Sequence, residues 1–527
     1  MPLSNPNASS ATGTRLRSEH SSSLSGMCVE CLGSCPGLCE VGKSAYRGPE
    51  NIYPQPYGDI TIGAEKDYPV DFSHLNILGT AVGAQGEEAD SDKAIFPAVD
   101  LETELGGEGG MKLKYPWLVA ALGSTEVAKK NWDGLAIGAA ISGVPITIGE
   151  NVCAMDPGSR IEDGQVVRAP DMERRVELYH DWQLDGYGGV IVQANVEDTR
   201  MGVHRYALQE LGVAGVEIKW GQGAKNIGGE VKLDSLERAK LLKKRGYIVL
   251  PDPEEPGVQE SFKKGDFLEF ERHSRVGMVS KDAFLERVQE LREMGAEYVT
   301  LKTGAYRPAD LARAIKYSSE AEIDLLTVDG AGGGTGMSPW RMMNEWGVPT
   351  IPLEYRLYQY LKKLDEDGEY VPSVAMAGGF SLEDHIFKGL ALASPYVKAI
   401  AQARAPITAV TVGTNVGEMV EESKGKVVQE YGDTLEQVFI EADGLKEKFN
   451  SRYEELPPSA MGLYSYYRRI AQGLRQFMAG ARKFSLEYID RDDLVALTRQ
   501  AAEETGLDYI TEVDEDLAMD ILAGKEE

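Results

Sequence analysis

Four of the five cysteines stand together at Cys28, Cys31, Cys35 and Cys39. The spacing C-x2-C-x3-C-x3-C gathers four thiolates in one short loop, the donor set an iron–sulfur cluster needs. Gly33, Pro36 and Gly37 supply the tight turns that would aim four sulfurs at one centre. Four thiolates also suit structural zinc, but a zinc ribbon usually splits its ligands into two separated C-x2-C pairs, and this loop does not. The expectation is a [4Fe–4S] cluster, with zinc as the alternative. Cys153 has no partner in the sequence and reads as a small buried residue.

A second group of chemically useful residues lies just beyond short apolar runs. Glu150 and Asn151 follow VPITI, and Gln193 and Asn195 come at the end of GVIVQA. Lys219 sits in GVEIKW, which leads into GQGAKNIGGE with Gln222, Lys225 and Glu230. Lys302 lies near the end of YVTLKT, DGAGGGTGMSPW follows DLLTV, and GGF (378–380) follows SVAMA. Any one of these is an ordinary solvated lysine or turn glycine; their shared position singles them out. Gly-rich turns after strands expose backbone N–H groups that can cradle a phosphate. As a dinucleotide fingerprint DGAGGGTG has the wrong spacing and context, and a mononucleotide with one phosphate suits two short Gly loops better. Lys302 could face the pyrimidine edge of a flavin and stabilise its reduced anion. Lys219, Lys225, Arg272 and Arg275, read as strand-end loop residues, are the candidates to hold an anionic substrate. Opposite charges about 4 Å apart gain about 4 kcal/mol at an effective dielectric near 20, against about 1 in water.

These residues need a scaffold that brings strand ends together. Apolar runs recur at WLVAAL (117–122), VPITI (144–148), GVIVQA (189–194), GVEIKW (215–220), YVTLKT (298–303), DLLTV (324–328), SVAMA (373–377) and VKAIA (397–401). Amphipathic stretches such as KDAFLERVQELREMG separate them, the pattern of right-handed βαβ units. Roughly eight strands over about 300 residues fit an α/β (β/α)8 TIM barrel, with its chemistry on the loops after the strands; a doubly wound open sheet is the alternative. The expected organisation is a polar arm at 1–26, a Cys-rich loop at 27–45 and a wrapping segment at 46–110. The barrel takes 111–425, and 426–527 form a helical extension in which Tyr464, Tyr467 and Phe477 serve packing.

With 527 residues, 42% of them hydrophobic, the chain can bury a large core. Its 55 Lys+Arg against 84 Asp+Glu give a net charge of −29, which argues against nucleic acid and against anionic membranes as partners. No apolar run reaches the roughly 18 to 20 residues of a membrane span, and the Ser-rich start lacks the apolar segment of a secretory signal, so the cytoplasm is the expected location.

The stretch VEIKWGQGAKNIGGEVK resembles the FMN- and 2-oxoglutarate-binding segment of glutamate synthase, where E-I-K-x-x-Q-G-A-K precedes a Gly/Glu-rich turn. GENV (149–152) stands where that family has G-E-G-G, LKTGAY (301–306) matches its V-K-L strand, DGAGGGTGMSP (329–339) its D-G-G-T-G-A-S-P loop and AGGF (377–380) its D-G-G turn. The resemblance implies a barrel holding FMN, on which hydride passes from reduced flavin to 2-iminoglutarate made from ammonia and 2-oxoglutarate. It implies that Ser124, Gln193, Lys302, Gly333, Gly334, Thr335, Gly378 and Gly379 contact FMN. Lys225 would bind a substrate carboxylate, and Glu150 would be the acid or base near the imine.

There are departures. The chain opens Met1, Pro2, without the N-terminal cysteine nucleophile of a glutaminase, so free ammonia or a separate glutaminase subunit is expected to supply nitrogen. The family's three-cysteine loop after the last barrel strand reads AQARAPITAVTVGTNVG here, and its P-P-P-H-H-D segment appears only as FERHSR. An electron relay would then use Cys28 to Cys39, fed by ferredoxin or an NAD(P)H-oxidising subunit, in a homo-oligomeric enzyme. The alternatives are a transferase resembling the flavin subunit of methylamine–glutamate N-methyltransferase, a related FMN oxidoreductase with another substrate, and a zinc-stabilised scaffold. A 2-hydroxyacid oxidase would want a His base on a late strand loop, whereas His385 reads as a surface residue of an amphipathic helix.

Overall fold

The computed structural model describes residues 35, 39–48, 68–107, 109–223, 230–332 and 346–525. Eight parallel strands close into a barrel: β1 (Trp117–Leu122), β2 (Ile146–Ile148), β3 (Val190–Ala194), β4 (Gly215–Lys219), β5 (Tyr298–Thr303), β6 (Leu325–Asp329), β7 (Ser373–Ala377) and β8 (Val397–Gln402). They pair in chain order, and the ring shuts where Ile400 of β8 meets Trp117 of β1. The expected fold is therefore the one observed.

Strand alternation sorts side chains into two cores. Val119, Val192, Val216, Leu301 and Val328 face outward into the main core under the helices. Leu118, Ile191, Leu325, Ala375 and Ala399 face inward and form a second, smaller cluster. Leu105, Met111 and Leu113 join that inner cluster from the antiparallel hairpin Thr103–Leu105/Met111–Leu113. The Gly106 N–H donates to Ser373 Oγ at the start of β7 (3.1 Å), so the hairpin plugs the N-terminal end of the barrel. Only the C-terminal mouth is left for chemistry.

The helices that matter to that mouth are α1 (Glu40–Arg47), α2 (Trp132–Ser142), α3 (Pro170–His180), α4 (Thr350–Glu366), α5 (Glu383–Leu392), α6 (Arg404–Glu421) and α7 (Pro458–Gly480). Helix α7 packs on α2 and α6, and α1 lies against α6 and α7. The approach is close: a side chain at Gly138 or Gly413 would run into Leu463 or the Pro458–Ser459 backbone. The last hundred residues are not purely helical, because Leu494–Ala496 pairs antiparallel with Leu75–Ile77. Among the described residues no helix is long and apolar enough to cross a membrane.

Two expectations are corrected. Between β4 and β5 the chain forms a three-stranded antiparallel sheet in the order Glu230–Leu233, Phe270–His273, Ile248–Leu250. Arg272 lies in its central strand, not in a strand-end loop, and is buried with its guanidinium 4.7 Å from the Tyr247 ring centre. His385 is buried rather than at the surface. The segment around Phe72 lies over α5, stacks on the His385 ring (centroids 4.8 Å apart) and takes a hydrogen bond from Lys388 Nζ (2.9 Å). Distant chain covers a helix face that periodicity alone leaves to solvent.

Candidate active site

Inward-facing positions at the ends of β3 to β6 carry Gln193, Glu217, Lys219, Lys302 and Asp329. The Lys302 ammonium lies 3.1 Å from Asp329 Oδ2, and both side chains are nearly buried. Gln193 Nε2 donates to Glu217 Oε1 (2.5 Å). Burial pushes the Glu217 carboxyl up, opposed by the charge of Lys302. Burial also pulls the Lys302 ammonium down, but Asp329 and Glu217 outweigh it and leave its pKa raised, so Lys302 is held as a cation. Nearer the rim, Lys219 Nζ donates to Glu150 Oε1 (2.5 Å) and to Gln222 Oε1 (3.1 Å). Gln193 Oε1, Thr300 Oγ1, Thr327 Oγ1 and Gln402 Oε1 are buried without a hydrogen-bond partner.

The opposite wall is small and apolar. Ala120 of β1, Ala377 of β7 and Ala401 of β8 line it. Gly378 and Gly379 follow with φ of 117° and 103°, in the region that favours glycine. The Thr350 hydroxyl donates to the Gly378 carbonyl (2.7 Å), and a side chain at Gly378 would collide with that hydroxyl and with the Gly330 backbone. The Gly330 N–H donates to the Ala377 carbonyl (2.9 Å), so the turns after β6 and β7 are locked together.

The turns after β1 and β2 are also packed backbone on backbone, since a side chain at Gly123 or Gly149 would overlap the other turn. Arg175 of α3 secures the first: it lies over the Trp132 ring (4.6 Å), pairs with Asp171 (3.2 Å) and donates to the Gly123 carbonyl (3.0 Å). This brings Ser124 and Glu150 to adjoining loops. In the second, Asn151 has φ 66°, and its N–H donates to both oxygens of Asp198 (3.2 and 3.0 Å). Burial pushes the Asp198 carboxyl up to about 7.

Residues 272–411 match a family model described as a conserved region in glutamate synthase. The glutamate synthase match takes in β5 to β8, hence Lys302, Asp329, Gly378 and Gly379. Among solved structures the chain is similar to the recombinant flavin-binding domain of baker's yeast flavocytochrome b2 (12% identity, 80% of this chain and 76% of that chain, TM-score 0.45). It is also similar to a mandelate oxidase mutant (13%, 80% and 87%, TM-score 0.42). A third is a soluble mutant of the membrane-associated (S)-mandelate dehydrogenase from Pseudomonas putida (14%, 80% and 88%, TM-score 0.42). No curated protein matches the sequence.

Of the residues singled out in the sequence, Ser124, Glu150, Gln193, Lys302, Gly378 and Gly379 all stand at the C-terminal ends of barrel strands or in the turns that follow. Lys225, Gly333, Gly334, Thr335, Cys28 and Cys31 lie outside the described residues. Two offered anion-binding cations are engaged elsewhere: Lys219 with Glu150, and Arg275 with Glu197 (3.0 and 2.9 Å). Cys35 and Cys39 are buried; the Cys35 carbonyl accepts from Asn415 Nδ2 of α6, and Cys39 Sγ caps α1 by accepting the Gly42 N–H (3.4 Å). Among the described residues no group of three or more His, Cys, Asp or Glu could hold a metal. Cys153 is fully buried, and burial pushes its thiol well up, as an unreactive core residue requires.

Reading the sequence missed Glu217, Asp329 and Asp198. Glu217 did carry a signal, a lone acid inside the apolar run GVEIK with Lys219 two residues on, which period-two alternation puts on the same face. Asp329 opens the DGAGGG motif but was passed over for its glycines. Nothing local marks Asp198 among the acids of VEDTR.

Proposed function

We propose that this protein is an FMN-dependent oxidoreductase of the glutamate synthase type that aminates 2-oxoglutarate to glutamate. The observation that carries the reading is the divided mouth: a buried cation–carboxylate–amide cluster facing a wall of alanines that ends in two positive-φ glycines. The residues fit FMN. Alanines leave room for a flat ring, Gln193 Oε1 is a buried acceptor without a donor, and Lys302 is a fixed cation for an electron-rich edge. Gly378 and Gly379 would offer backbone to the phosphate, with Ser124, Gly333, Gly334 and Thr335 as further contacts. When bound, FMN supplies the hydride.

The chain's own residues do the rest. Glu150 donates a proton to the hydroxyl of the carbinolamine formed from ammonia and 2-oxoglutarate, the hydroxyl leaves as water, and the resulting iminium is a better hydride acceptor than the carbonyl. Lys219 Nζ, hydrogen-bonded to Glu150 Oε1, aims the carboxyl. Lys225 binds a substrate carboxylate. A [4Fe–4S] cluster on Cys28, Cys31, Cys35 and Cys39 would carry electrons from ferredoxin or an NAD(P)H-oxidising subunit. The location of α1 supports that entry side: it packs on α7, whose Tyr466 hydroxyl donates to the Ser381 carbonyl and accepts from Gln402 Nε2 (3.0 Å) at the ends of β7 and β8.

Two preparations test the reading. The purified protein should be yellow and release FMN on denaturation; a colourless protein without FMN contradicts the cofactor. Lys225→Ala should abolish 2-oxoglutarate turnover and keep the flavin spectrum, and undiminished turnover removes Lys225 from the site.

A further inference from the structure

We infer that Asp198 is the positioning residue of Glu150, clamping the turn that carries it. This rests on the reading of Glu150 as the proton donor. Asp198 is 1% exposed and belongs to the short helix after β3, Val196–Arg200, whose N-terminus it helps to cap, yet its bonds reach the turn after β2. Its oxygens accept the N–H of Asn151 at 3.2 and 3.0 Å and that of Asn195 at 3.3 Å. Asn151 immediately follows Glu150 and stands in the left-handed region, with φ 66°.

Asn151 Oδ1 accepts from Tyr247 Oη (2.7 Å) and from Asn195 Nδ2 (3.3 Å), so backbone and side chain of one residue are both pinned. Tyr247 is fixed in turn beneath the Arg272 guanidinium. The clamp thus joins the turn after β2, the turn after β3 and the inserted sheet, with Glu150 at their meeting point. Lys219 holds the Glu150 carboxyl from β4.

The groups that act on Asp198 by charge are Glu150 and Lys219, and Asp198 in turn raises the Cys153 thiol and the Tyr247 hydroxyl. Burial is the main cause that raises Asp198, and Glu150 adds to it as a like charge.

The test is a double-mutant cycle on the holoenzyme with 2-oxoglutarate and ammonia across pH 5 to 9. Asp198→Asn should lower kcat about 10- to 100-fold, with KM changed little. In a Glu150→Gln background the same substitution should cost almost nothing, because the residue it positions is gone. Equal losses in both backgrounds overturn the proposal and leave Glu150's assignment standing. A Glu150→Gln protein as active as wild type instead overturns the assignment.

A second measurement needs no turnover. The infrared carbonyl band of a protonated carboxyl should titrate near pH 7 in wild type, vanish in Asp198→Asn and move its midpoint to lower pH in Glu150→Gln. A midpoint that Glu150→Gln leaves unmoved overturns the placement of Glu150 beside Asp198. Tyr247→Phe, which keeps the ring under Arg272 and removes only the hydroxyl, should lower kcat about 3- to 10-fold; wild-type kcat in that variant removes Tyr247 from the clamp.

Discussion

The two sides of the barrel mouth are built from opposite materials. At the mouth ends of β3 to β6 the inward positions are charged or amide-bearing and paired: Lys302 with Asp329, Gln193 with Glu217, and Lys219 with Glu150 of the turn after β2. At the mouth ends of β7, β8 and β1 they are alanines, and β7 runs on into two glycines, the first held by Thr350. One side provides fixed charge, the other provides space and bare backbone. A charged wall all round would be hard to neutralise in the interior, and an apolar one all round would orient nothing.

The largest expected effect comes from breaking the charged side. Lys302→Met leaves Glu217 and Asp329 buried without their cation, and urea unfolding should show a loss of about 3–5 kcal/mol. Next is the small side: Ala377→Leu should fold, with a cost of about 1–3 kcal/mol from overpacking, but should lose its FMN as read by the visible absorbance after gel filtration. If Ala377→Leu binds FMN normally, the space along β7 is not the ring's. A smaller effect is expected from Thr350→Val, which removes the donor to the Gly378 carbonyl; thermal denaturation should report a loss of about 1 kcal/mol.

The subtlest test is pH. Burial pushes the Asp198 carboxyl up to about 7, against about 3.8 for an ordinary aspartate, so the folded state binds its proton more tightly than the unfolded chain. Its stabilising contribution is complete below about pH 4 and is lost as the pH rises to about 7. The melting temperature of wild type relative to Asp198→Asn should therefore fall between pH 5 and pH 8. A difference that stays constant over that range would show that Asp198 is ionised throughout.

The barrel was legible because strands buried on both faces run as unbroken apolar stretches, and eight such stretches set between amphipathic segments leave few architectures. Lys302 and Gln193 could be found because each comes at the end of such a run. What could not be read is pairing across the mouth. Lys219 reads as a substrate-binding cation because its partner Glu150 is 69 residues away, and only the pairing of both β2 and β4 with β3 brings the two together. The hairpin plug was missed because three-residue strands carry too little periodicity, and His385 was misplaced because its cover comes from the segment around Phe72.

The most direct test of the account is a stopped-flow experiment on anaerobically reduced protein mixed with ammonia plus 2-oxoglutarate, beside a panel of other oxo acids and each substrate alone. The account predicts rapid flavin reoxidation only when both substrates are present, with one glutamate formed per flavin. Reoxidation no faster than in buffer, or equally fast with 2-oxoglutarate alone, would contradict it.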